Sequence, residues 1–230
     1  YITENNVKVD VFTITLDKSN VGQYSVTLYK EVDHPTQGQD SVAVSIPVYA
    51  VDSDNDHSTN SNLVINIGDD LQVVTDGSLS VTEPDHVGTA SSNQIDVITK
   101  AGAEHGQVTS FTFDGTKYAL ESGKTEYKVT DGTVKISADG QLSFIADSNL
   151  NHTASETIHH TIVVTVTDKD GDTLTSNVDV AIADGKNPVI NSITSVDVFE
   201  AGLNEGSQVG GTNTTATGLI DFTTGSDKVV

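Results

Sequence analysis

The stretch TDKDGDTLTSNVDVAIADGKNP, residues 167–188, carries Asp168, Asp170 and Asp172 at one end and Asp184 and Asn187 at the other. Neighbouring carboxylates repel one another. Either these side chains splay into water or a cation gathers them. The pattern recurs: Asp52, Asp54 and Asp56 repeat the alternation, with Asn55 in the place of Gly171, and Asp69 and Asp70 close the segment IGDD at 67–70. Carboxylate and amide oxygens are hard ligands. Ca2+ takes about six to eight of them at roughly 2.3–2.6 Å in irregular geometry, whereas Mg2+ demands an octahedron. Asp52, Asp54, Asp56, Asp69, Asp70, Asp168, Asp170, Asp172, Asp184 and Asn187 are therefore the candidate Ca2+ ligands. An EF-hand is not their frame. Its sixth position would be Thr173 rather than Gly, its twelfth Asp179 rather than Glu, and the flanks are strand-like. The plainer alternative is a solvated hairpin tip, because Asp170-Gly171 is a strong turn former.

The elements that must position these side chains are strands. VFTITL (11–16), QYSVTLY (23–29), SVAVSIPVYAV (41–51), LVINI (63–67), TSFTF (109–113), TVKIS (133–137), QLSFIA (141–146), TIVVTVT (161–167) and NVDVAI (177–182) alternate with period two and are rich in Val, Ile and Thr. Asp-Gly pairs at 76–77, 114–115, 131–132, 139–140 and 170–171 punctuate them. No stretch shows a 3.6-residue period. Short strands at this spacing predict an all-β chain of β-sandwich domains. In a seven-stranded sandwich the last two strands run antiparallel, so the 168–172 loop lies at the end where the first strand begins. The linker ending in Asp69 and Asp70 arrives at that same end. Five acids at one junction favour a cation over bare solvent.

The chain also repeats itself. QYSVTLYKEVDH (23–34) aligns with QLSFIADSNLNH (141–152), VDSDNDHSTNSNLVINIGDD (51–70) with TDKDGDTLTSNVDVAIADG (167–185), and SLSVTEPDHVGT (78–89) with SVDVFEAGLNEG (195–206). The offset is about 117 residues, roughly one sandwich domain. Residues 69–186 are thus expected to form one complete Ig-like repeat, 1–68 the C-terminal part of another, and 187–230 the N-terminal part of a further one. The partial repeats would expose apolar faces and open edges. They could be completed within the chain, by a neighbouring copy or by sequence beyond this stretch. The last two are favoured, because closure within the chain requires it to double back across the middle repeat. In a following domain, a loop equivalent to Asp52–Asp56 would meet Asp184 and Asn187. Without a bound ion the linkers should act as hinges.

Composition narrows the function. The 230 residues carry 33 acids against 11 Lys and Arg, a formal charge of -22. That balance argues against nucleic acid, which needs a basic footprint, and against anionic membrane surfaces. It suits surroundings where counterions or calcium screen the repulsion. The absence of Cys excludes disulfides and thiolate sites, so metal ions are one available brace. No apolar run reaches membrane-spanning length and no signal peptide is visible. The start at Tyr1, in mid-pattern, reads as a fragment.

The remaining chemistry is weaker. Glu83 and its counterpart Glu200 lie near first-strand ends and either add a ligand or stand solvated, the second being the simpler expectation. His34 and His152 occupy equivalent repeat positions, which suggests a shared structural hydrogen bond, to Asp40 or Glu156. His159 and His160 should face opposite sides of a strand. Zinc-protease, serine-hydrolase, P-loop and dinucleotide signatures are missing, so no enzyme is expected, although glycosidase-type acid pairs are invisible to spacing alone. Six Tyr, six Phe and no Trp disfavour a sugar-stacking site.

The closing segment TVTDKDGD…VDVAIADGKNP resembles that of cadherin-like domains. More closely, VGQYSVTLYKEVDH (21–34), VYAVDSDND and INIGDD resemble the Ig-like tandem repeats of large type I-secreted bacterial RTX adhesins. The resemblance spans essentially the whole chain. It implies a spacer in a surface fibre, extracellular on a bacterial cell, with Ca2+ at domain junctions. Its partners would be neighbouring repeats of the same long chain, with host or surface ligands engaged through other domains. The alternative within the same family is a sugar- or peptide-binding module. Two departures stand out. The glycine-rich GGxGxD nonapeptide is absent, and ADGKNP lacks the second acid of GDD, so the second junction should bind calcium less tightly.

Overall fold

The computed structural model describes residues 2–4, 6–85, 88–153, 155–211 and 214–229. Residues 69–186 hold two five-stranded sheets. One runs in the order Thr116–Ala119, Gln107–Phe113, Thr157–Thr167, Thr173–Ala183, Gly77–Thr82. All its neighbours are antiparallel except the last pair: Gly77–Thr82 lies parallel to Thr173–Ala183, with Gly77 opposite Val178 and Thr82 opposite Ala183. The other sheet runs Ile95–Asp96, Gln141–Ala146, Gly132–Ile136, Glu126–Val129, and Ala90–Ser91 also pairs with Gln141–Ala146. A short ladder of Val73–Val74 with Ile98–Lys100 stands at the linker end.

The alternation written in the sequence becomes burial. Along Thr157–Thr167, His160, Ile162, Val164 and Val166 point inward, and along Thr173–Ala183, Ser176, Val178, Val180 and Ile182 do. Period-two side chains fill one face. The connected apolar core falls between Leu79 and Ile182; Ile67 is buried apart from it. Aromatic contacts link the two sheets: Phe111 meets Tyr127 edge-on at 5.3 Å, and Phe113 stacks on Phe144 at 6.0 Å. Each fully buried side chain of this size contributes about 1.5–3 kcal/mol. Buried His160 bridges two turns, its Nδ1 2.6 Å from Asp114 and its Nε2 3.2 Å from Asp131. Exposed His159 faces the other way, as strand geometry requires.

The flanks are different. Residues 1–68 form separate two-stranded ladders, Ile2–Glu4 with Val7–Val9, Phe12–Leu16 with Tyr24–Leu28, and Ser41–Val48 with Ser61–Gly68. Val189–Ile193 pairs with Ile220–Thr223. Among the described residues no strand of 1–68 pairs with one of 187–230. Leu16, Tyr24, Leu28, Ile190, Ile193 and Phe222 are exposed on these ladders, where no second sheet covers them. A 3-10 turn spans Glu200–Gly202, and among the described residues no helix is long and apolar enough to cross a membrane.

Candidate metal centre

The parallel first and last strands explain which residues meet. At one end of the sandwich, the linker before Gly77 is brought beside the loop before Thr173. Asp168, Asp170 and Asp172 offer oxygens within 4.8 Å of one another, and so do Asp69, Glu104 and Asp170. The loop is shaped locally: the Asp168 Oδ1 accepts the backbone N–H groups of Asp172 at 2.7 Å and Gly171 at 3.2 Å. Gly171 turns the chain at φ 101°. The exposed loop at Asp52–Asp56 repeats this. Asp52 Oδ1 accepts the Asp56 N–H at 2.8 Å, Asn55 takes the left-handed position at φ 75°, and the three carboxylates again form a close group. Asn tolerates that region better than most residues.

Five buried oxygens here have no hydrogen-bond partner among the described residues: Asp69 Oδ2, Glu104 Oε2, both carboxylate oxygens of Asp170, and Asp172 Oδ2. Orphaned buried acceptors are costly. Burial first, then the charges of Asp170, Asp168 and Asp69, push the Glu104 carboxyl up to about 7. Burial, with the nearby Asp170 adding to it, pushes Asp168 up to about 6. Burial also raises Asp69. Each of these carboxylates is under-neutralised, and each orphan is a hard oxygen. The donor set fits Ca2+.

Segment 31–40 closes over this cluster. The Gly38 N–H donates to Asp172 Oδ1 at 2.6 Å, the Gln37 side-chain amide donates to the Gly171 carbonyl at 3.2 Å, and Lys169 pairs with Asp33 at 3.0 Å. His34 is hydrogen-bonded to Asp40, one of the two partners expected for it. Burial opposes its charge, but Asp40, with Asp69 and Glu104 adding to it, outweighs burial and raises its pKa.

The other candidates are placed differently. Asp70 does not join the cluster; its Oδ2 accepts the Ala103 N–H at 3.0 Å. Asn187 is exposed and lines an open cleft beside Asp85 and Lys186. Asp184 lies at the opposite end of the sandwich, grouped with Glu83 and His152. Two expectations change there. Glu83 is not solvated: its side chain is wholly buried and its Oε1 accepts the Leu150 N–H at 2.6 Å. His152 faces Glu83 and not Glu156, whose backbone carbonyl instead accepts the Asp184 N–H at 2.9 Å.

Sequence reasoning missed Glu104. It sits in AGAEHG (101–106), a turn pinned by Gly102 at φ 73°, where a Cβ would come within 2.9 Å of the Asp70 carbonyl. The flank repeats that device: Gly225, at φ 74°, presses on the Lys186 carbonyl, two residues before Asp227. This glycine-acid spacing was the available signal. Gln72, buried, donates to the Asp172 carbonyl at 3.1 Å and fixes the loop from below.

This topology defines an all-β, Ig-like sandwich of two facing sheets with parallel first and last strands. No protein-family description matches the chain, and no curated protein matches it. Similar solved structures include an NMR structure of a protein from Bacteroides thetaiotaomicron, 14% identical over 50% of this chain and 82% of that one, with a TM-score of 0.26. The crystal structure of protocadherin gamma C5 EC1-3 is 11% identical over 79% of this chain and 58% of that one, TM-score 0.31. Mouse protocadherin-24 EC1-3 is 14% identical over 81% and 59%, TM-score 0.26. The chain spans less than two thirds of either protocadherin fragment. Likenesses this distant concern the fold alone and carry no argument about binding or activity.

Proposed function

We propose that the chain is a structural spacer, a run of Ig-like repeats whose junctions are stiffened by Ca2+. The supporting observation is the set of orphaned buried oxygens on Asp69, Glu104, Asp170 and Asp172, supplied by a linker, a turn and a hairpin tip. Asp168 completes the loop, and Asp52, Asp54 and Asp56 offer the same loop to a neighbouring repeat. Asp70 supports the site by holding the Glu104 turn. Asp184 stands apart from this cluster, at the other end of the sandwich with Glu83 and His152. When bound, Ca2+ would supply charge neutralisation. The chain's own residues position the acids and exclude water beneath segment 31–40.

The partial repeats at 1–68 and 187–230 would be covered by a neighbouring copy or by adjoining sequence. The finer reading rests on the sequence resemblance: a repeat region of a type I-secreted bacterial adhesin, extracellular at the cell surface, working without catalysis. A thermal melt with rising Ca2+ tests it. At a hundredfold excess over Kd, binding adds about 2.7 kcal/mol to stability, and Tm should rise accordingly. An unchanged Tm at millimolar Ca2+ would refute the reading.

A ligand-binding module is the second reading. It draws on an open cleft of about 550 Å3 lined by Asp85, Lys186, Asn187, Val189 and Thr223–Gly225. Glycan and peptide arrays would reveal it.

A further inference from the structure

We propose that Glu83, His152 and Asp184 form a second metal site, distinct in chemistry from the all-oxygen cluster, that takes a borderline transition-metal ion such as Zn2+. The inference stands independently of the calcium reading. Strand register builds the site. Because Gly77–Thr82 and Thr173–Ala183 are parallel and end together, the residues that follow them, Glu83 and Asp184, emerge side by side, and the Glu83 N–H donates to the Ala183 carbonyl at 2.9 Å. Thr157 pairs with Ala183, so the segment leading into that strand brings His152 to the same edge. The three side chains offer ligand atoms within 4.8 Å of one another.

Two buried groups meet in this space with polar atoms left over: Glu83 Oε1 holds the Leu150 N–H, but its Oε2 does not share in that bond. The His152 side chain is 5% exposed and the Glu83 side chain 0%. Among the described residues, neither ring nitrogen of His152 has a hydrogen-bond partner, and neither does Glu83 Oε2. His152 Nε2 and Glu83 Oε2 lie 3.5 Å apart, too far for a good hydrogen bond. A tetrahedral ion with bonds of about 2.0–2.1 Å has an edge of roughly 3.3 Å, close to that separation. A buried imidazole is a poor ligand for Ca2+, which prefers oxygen, and a good one for Zn2+. The upstream junction differs: there His34 already has Asp40 as its partner.

The test is side-chain 15N NMR of the native chain titrated with Zn2+ and, separately, with Ca2+. The expected result is a metal-coordination shift at His152 with about one equivalent of Zn2+ and none with Ca2+. His152→Gln should weaken binding of that Zn2+ at least tenfold and leave the Ca2+ stoichiometry unchanged. An unshifted His152 at excess Zn2+ overturns the proposal, even if the variant fails to fold. So does a Zn2+ affinity that His152→Gln leaves intact, or a Zn2+ signal erased by equimolar Ca2+. Loss of Ca2+ binding alone would count against the spacer reading and not against this site.

Discussion

Glu104 and Asp170 show how a single residue decides the behaviour of the junction. In the metal-free protein the Glu104 carboxyl titrates near 7 instead of the ordinary 4.5. Below the ordinary value, folded and unfolded chains both hold the proton and nothing is lost. As pH rises from there towards 7, the unfolded chain releases its proton first, so stability falls. Thermal melts in chelator should therefore show Tm dropping between about pH 5 and pH 8. Glu104→Gln should flatten the drop, and Ca2+ should reverse it by taking the proton's place. Asp170→Asn removes a charged oxygen at the centre of both acid groups. It should weaken Ca2+ at least tenfold, about 1.4 kcal/mol or more, by calorimetric titration. Asp33→Asn, which touches only the exposed Lys169 pair, should cost less than about 1 kcal/mol.

At the scale of elements, the strands were legible because their alternation survives as burial. Thr161–Thr167 was readable as a strand, and the structure extends it back to Thr157 and brings in the two histidines. Glu126–Val129 was not read, since four residues of Glu-Tyr-Lys-Val show little more than one period. The acidic loops were visible through their spacing. Glu83 was not, because its burial follows from parallel pairing between the first and last strands, about a hundred residues apart, which no local pattern records. Glu104 hid for the same reason: its turn packs on a linker from the other side of the strand pair. Where the elements do close on one another, the fit is tight. Phe111 is fully buried against Tyr118 and Tyr127; Phe111→Ala should cost about 3–5 kcal/mol in urea unfolding. Gly132 has no room for a Cβ, which would overlap the Ile145 carbonyl and the Phe144 ring. Gly132→Ala should be destabilising despite the strand's ordinary backbone.

For the whole molecule, stability should be uneven. The connected core lies between Leu79 and Ile182, while the flanking ladders, Ile67 apart, leave large apolar side chains in solvent. Few buried contacts mean low local opening free energy. Hydrogen exchange should protect amides of Thr157–Thr167 and Thr173–Ala183 most strongly, and those of Phe12–Leu16 and Val189–Ile193 little. Equal protection across all of them would mean that the flanks are covered in solution by another copy. The alignment of 1–68 and 187–230 with parts of the middle repeat leads to the same expectation. What covers the flanks in a longer assembly is written in their exposed faces only as a need.

The central claim is that a cation sits where the linker, the Glu104 turn and the 168–172 loop converge. Anomalous diffraction from crystals grown in Ca2+ tests it most directly. A peak is expected bonded to oxygens of Asp69, Glu104 and Asp170, with Asp168 or Asp172 completing the shell at about 2.3–2.6 Å. Those carboxylates bridged only by protons and water, with no peak among them at saturating Ca2+, would contradict it.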